Sequence, residues 1–117
     1  MTSSTPATTS SIPSLARLAV YTKALSCARL VHSIRCRETL RSQLDRAMDS
    51  VVLNIAEGAS DNSLAMKKRS YRIARASTFE VGAAIDLVNL SRPFDGFTEI
   101  ASRLSEIDRM LRALTRP

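Results

Sequence analysis

The segment from Gln43 to Gly58, QLDRAMDSVVLNIAEG, constrains the fold more than any other stretch of the chain. Read with a helical period, Leu40, Leu44, Ala47, Val51 and Ile55 share one apolar face. Arg46, Ser50, Asn54 and Glu57 form a polar line beside it. Gly58 is expected to stop the helix, since glycine alone enters the left-handed region without steric penalty. The stretch Gly58-Ala59-Ser60-Asp61-Asn62 then reads as a polar turn.

Four helices are expected in all, this segment lying in the second. The first begins at Ser14, as an N-cap after Pro13, and runs to about Cys36 with Val20, Tyr21, Ala24, Ala28 and Val31 inward. The second, from Glu38 to Glu57, follows a short break that no proline or glycine marks. The third runs from Ser63 to Leu90, with Met66, Ile73, Ala74, Ser77, Val81, Ala84 and Val88 inward and Ser70 interrupting that side. Ser91-Arg92-Pro93 ends it, because the residue before proline avoids helical dihedrals. The fourth is capped by Thr98 or Asp95 and follows Ile100, Leu104, Ile107, Leu111 and Leu114. Its pairs Glu99–Arg103 and Asp108–Arg112 read as solvated i, i+4 contacts. Four amphipathic helices with short connections predict an all-α, antiparallel up-down-up-down four-helix bundle over residues 14–117.

Composition agrees. Three glycines and four prolines in 117 residues are too few for a turn-rich β chain. The length fits one domain with one core. Residues 1–13 contain eight Ser or Thr and neither a basic start nor an apolar core, which predicts a disordered tail rather than a secretory signal. No run is long and apolar enough to span a membrane. Cys27 and Cys36 are about half a turn out of phase on the first expected helix and cannot pair with each other, so reduced thiols in a cytoplasmic setting are expected.

The charge of +6 is unevenly spread. Arg17, Lys23, Arg29, Arg35 and Arg37 all precede the first acid, Glu38. A second acid-free window holds Lys67, Lys68, Arg69, Arg72 and Arg75, and Lys68, Arg72 and Arg75 fall within about 60° on a helical wheel. Lys23, Arg29 and this window are the candidate nucleic-acid-binding residues, able to neutralise phosphates. The alternative is a merely solvated face. Phe79, near the end of the stripe, can stack on an unpaired base or pack against a neighbouring subunit. In a hairpin of the second and third helices, Arg46 falls opposite Arg75 to Ser77, and Glu80 near Arg41 to Gln43. Arg46, Ser50, Asn54, Glu57 and Glu80 are therefore expected to form a polar network of partly buried ion pairs that fixes helix register; a ligand pocket is the other reading.

Catalytic patterns are missing. His32 is the only histidine and no Glu-x-x-His occurs, which leaves di-iron chemistry without ligands. Gly58, Gly82 and Gly96 stand alone and form no phosphate loop. A non-enzymatic protein without metal or cofactor is expected.

The residues around Gln43–Gly58 also resemble a known family. Its pattern reads roughly Q-L-R-R-A-x-x-S-I-x-x-N-I-A-E-G, then a polar turn and a helix ending I-A-x-G-S-x-x-E. Gln43, Leu44, Arg46, Ala47, Ser50, Asn54, Ile55, Ala56, Glu57 and Gly58 match, as do Ile73, Ala74, Ser77 and Glu80, and residues 18–21 with Ala24-Leu25 resemble its first helix. The pattern is that of the four-helix-bundle proteins of bacterial large-subunit rRNA intervening sequences, a group related to the accessory protein of diversity-generating retroelements. Asp45, Ser70-Tyr71 and Ala76 depart from it, the second of these predicting a thinner core in the third helix. The resemblance implies a ring-shaped homo-pentamer in the bacterial cytoplasm with a link to ribosomal RNA; together with the basic faces this makes nucleic acid, RNA before DNA, the expected partner. The alternative it implies is a scaffold for a reverse transcriptase and its template RNA.

Overall fold

The structure is a computed structural model and describes residues 10–117, leaving most of the expected tail outside the described residues. The described chain is helical: α1 (Pro13–Ala16), α2 (Ala19–His32), α3 (Glu38–Ser60), α4 (Leu64–Ser91) and α5 (Phe97–Leu114). The four longer helices surround one core. α3 packs on α2 and α4, and α5 closes the other side against the same two helices. Leu44, Met48, Val51 and Ile55 of α3 meet Val20 and Val31 of α2, Val81 and Ile85 of α4, and Ile107 and Leu111 of α5, all essentially inaccessible to solvent. Burial of this apolar surface is the main stabilising force. No helix among the described residues is long and apolar enough to cross a membrane.

The first expected helix is in fact two. Leu18 takes extended dihedrals between α1 and α2, and its side chain packs against the core. α2 then ends at His32 rather than Cys36, so Cys36 lies in the connection to α3. What stops α2 is a side chain from the next helix. The Arg41 guanidinium donates to the carbonyls of Val31, at 3.0 Å, in the last turn of α2, and of Ile34, in the connection that follows it. Asp45 holds Arg41 in place through contacts of 2.6 and 3.1 Å and lies 2.8 Å from His32 Nδ1. The missing proline or glycine is thus replaced by a tertiary cap.

Gly58 does not end its helix. α3 continues to Ser60, and no residue among those described has a positive φ. The glycine serves a close approach instead. A Cβ added at position 58 would stand 2.6 Å from Cε1 of Tyr71 and 2.8 Å from its Cδ1. Tyr71 is 5% and Ser70 4% exposed, so both positions lie in the core of α4, the tyrosine filling it and the serine supplying little apolar surface.

That contact also sets the rotation of α4. Its buried face is Ser70, Tyr71, Ala74, Ser77, Thr78, Val81, Ala84, Ile85 and Val88, whereas Met66 and Ile73, expected inward, are 45% and 37% exposed. The Ser63 hydroxyl accepts from Met66 N and caps the helix start within a residue of expectation. At α5 neither Thr98 nor Asp95 caps; Gly96 occupies that position.

Candidate nucleic-acid interface

The N-terminal half of α4, from Lys67 to Arg75, carries the densest positive charge of the chain, but the five cations have different fates. Lys67 Nζ donates to the carbonyls of Gly58 (2.8 Å) and Ala59 (3.2 Å). Its charge lies at the negative end of α3, where a cation is favoured. Arg75 Nε donates to Asp108 Oδ1 of α5 at 2.6 Å, and its guanidinium stands 5.4 Å from the centre of the Phe79 ring. Both cations are therefore engaged within the subunit.

Lys68, Arg69 and Arg72 are not. None of them makes an ion pair or side-chain hydrogen bond among the described residues, and Arg69 and Arg72 are exposed. Their spacing places them within about 100° of the helix circumference. Phe79 follows along the same stripe and is 60% exposed. The accessible cationic surface is thus shifted from Lys68-Arg72-Arg75 to Lys68-Arg69-Arg72.

The α2 candidates are separate. Lys23 Nζ lies 3.1 Å from Glu106 of α5, while Arg29 is exposed and unpaired among the described residues. α2 has no substantial interface with α4, so Arg29 belongs to a different face.

The polar line along α3 divides as well. Ser50 and Ser77 share a 2.8 Å hydrogen bond between α3 and α4, and Asn54 Nδ2 donates to Ser50 O and Oγ at 2.9 and 3.2 Å. Glu80 accepts from Gln43 at 3.0 Å and stands 4.0 Å from Arg46, whose side chain is 74% exposed. Such an exposed pair contributes little. Glu57 is exposed and makes no ion pair among the described residues, so the expected buried acid–base network is instead a hydroxyl–amide cluster. No buried side-chain N or O among the described residues lacks a partner.

The i, i+4 pairs on α5 are more than solvated contacts. Arg103 lies 2.8 Å from Glu99 and also donates to Ser26 of α2, at 2.8 Å. Asp108 lies 3.6 Å from Arg112 besides holding Arg75. Both pairs therefore tie α5 to its neighbours. Cys27 and Cys36 are free thiols, and burial pushes Cys27 up to about 11 against the opposing pull of Arg103. No group of three or more His, Cys, Asp or Glu able to hold a metal occurs among the described residues.

One comparison with known proteins decides the family. The 23S rRNA-intervening sequence protein family matches residues 16–113, nearly the whole described chain. The chain belongs to that family. No curated protein and no solved structure matches it. The family match spans all four long helices and the free cations of α4.

Two connections contribute cations that the sequence reading did not bring together. Arg35 and Arg37, between α2 and α3, line one cleft with Arg92, which follows α4. Each had a visible signal, an Arg-Cys-Arg run and a Ser-Arg-Pro stop, but only the fold brings them to the same end.

Proposed function

We propose that this protein is a non-enzymatic RNA-binding protein of the bacterial cytoplasm, and that Lys68, Arg69 and Arg72 are its principal phosphate contacts. The observation that carries this reading is that they have no ion-pair or hydrogen-bond partner among the described residues and stand beside an exposed aromatic ring, in a family tied by name to 23S rRNA. Three adjacent cations on one helix repel one another and are favoured when an anion lies across them. Phe79 offers a flat surface on which a base can stack.

We further propose an antiparallel four-helix bundle that assembles into a ring-shaped homo-oligomer, a pentamer by resemblance. The pairings Gly58–Tyr71, Ser50–Ser77 and Gln43–Glu80 support opposite directions for α3 and α4. Exposed Leu53 (67%), Leu87 (49%) and Leu90 (81%) supply apolar surface for subunit contacts. A ring repeats the α4 stripe once per subunit, so that weak contacts combine.

The test is the variant K68E/R69E/R72E, titrated with single-stranded RNA across salt concentrations. Loss of binding is expected, with an unchanged melting temperature and an unchanged mass by light scattering. An affinity and salt dependence equal to the parent's would remove the stripe from consideration.

A further inference from the structure

We propose that Arg35, Arg37 and Arg92 form a second anion site, one that takes a phosphomonoester such as the 5′-phosphate of an RNA end. The proposal rests on the RNA-binding reading above for the source of the phosphate, but on separate residues at the opposite end of α4. The cleft has a volume of about 340 Å³. Its floor is apolar, from Leu40 and Val88, which are 8% and 4% exposed. No acid lines it, and all three arginines are exposed and without ion pairs among the described residues. The neighbouring cleft shares Arg35 and Arg92 and carries Asp95 and Glu99, but neither acid lies within ion-pair distance of an arginine of the site.

Two further features suit an anion. The cap position of α3 is Arg37, whose side chain makes no capping bond, and the first amides of this 23-residue helix have no side-chain partner among the described residues. Glu38 stands in that first turn but does not line the cleft. The walls are also held in place. Arg41 ties down the segment carrying Arg35 and Arg37 through the carbonyls of Val31 and Ile34. On the other side Asn89 Oδ1 accepts from Phe94 N at 3.2 Å, which fixes the chain after Arg92. A site whose supports are already ordered loses less entropy on binding.

The charge count selects the ligand. An internal phosphodiester offers one negative charge and two free oxygens. A terminal monoester offers about −1.5 to −2 and three oxygens, matching three guanidinium forks. The apolar floor can receive the first base or sugar.

Cys36 lines the cleft and is half-buried, whereas Cys27 is inaccessible, so a thiol reagent on the folded protein reads cleft occupancy. The experiment compares the labelling rate of Cys36 with a 5′-phosphorylated oligoribonucleotide, the same oligonucleotide with a 5′-hydroxyl, and inorganic phosphate. Protection by the phosphorylated RNA beyond that by the hydroxyl form is expected, and R35Q/R92Q removes the difference, with about a tenfold loss of affinity or more. Protection by inorganic phosphate as strong as by the RNA end also supports the site and assigns it to free phosphate. In K68E/R69E/R72E, general RNA affinity falls while protection by inorganic phosphate or by saturating phosphorylated RNA persists, which separates the two sites. Equal protection by the two RNAs, or discrimination that survives R35Q/R92Q, overturns the proposal.

Discussion

Tyr71 packs against Gly58 so closely that a single added methyl group would stand 2.6 Å from its ring. Tyr71 is buried and cannot swing away cheaply. Gly58→Ala gains at most about 1 kcal/mol of helix propensity, the interior value, and Gly58 lies in the last turn of α3. Overpacking of a filled core costs about 1–3 kcal/mol. The clash is expected to win, lowering the melting temperature. In a Tyr71→Leu background the same substitution should be neutral or stabilising. A Gly58→Ala protein that melts at or above the parent temperature would show that the ring yields and the contact is not demanding.

Arg75 should behave as a structural residue. Its partner Asp108 is 18% exposed and also faces Arg112, so the contact links α4 to α5 in partly desolvated surroundings. Asp108→Ala is expected to lower stability by about 1–2 kcal/mol, since a charge-assisted bond is lost but Arg75 can still reach water. Arg75→Ala should destabilise similarly, with the double variant no worse than the larger single effect. Urea unfolding of the four proteins measures the coupling. Additive effects would mean that the two residues act independently.

The Arg41–Asp45–His32 cluster predicts an acid sensitivity. The hydrogen bond from Arg41, aided by His32, holds the Asp45 carboxyl below its ordinary 3.8. A carboxyl depressed by folding stabilises the native state above its unfolded pKa, and this is lost as pH falls through the lower folded value. The difference in unfolding free energy between the parent and Asp45→Asn should therefore be fully present at about pH 5 and shrink below about 4. A difference that does not change with pH would rule out this linkage.

Much of the architecture was legible because helical periodicity is local. Leu40, Leu44, Ala47, Val51 and Ile55 are all buried, as their spacing requires, and Ser63 caps α4 with its own hydroxyl. Ile100, Leu104, Ile107 and Leu111 fill the core from α5. The end of α2 was not legible, since its cap is Arg41, further along the chain in the next helix. The rotation of α4 was not legible for a similar reason. The spacing alone puts Ile73 inward and makes Ser70 an interruption, because the Gly58–Tyr71 contact involves a different helix.

The candidate site divides along the same line. Sequence alone established that Lys67 to Arg75 is an acid-free, cationic stretch of helix, because composition and spacing need no knowledge of neighbours. Only the tertiary structure decided which of those charges are free. Lys67 is taken by the carbonyls of α3 and Arg75 by a carboxylate of α5, while Lys68, Arg69 and Arg72 face outward without partners among the described residues. A charge is specified by its residue, but its availability depends on what the fold brings within hydrogen-bonding distance, and those partners come from other helices.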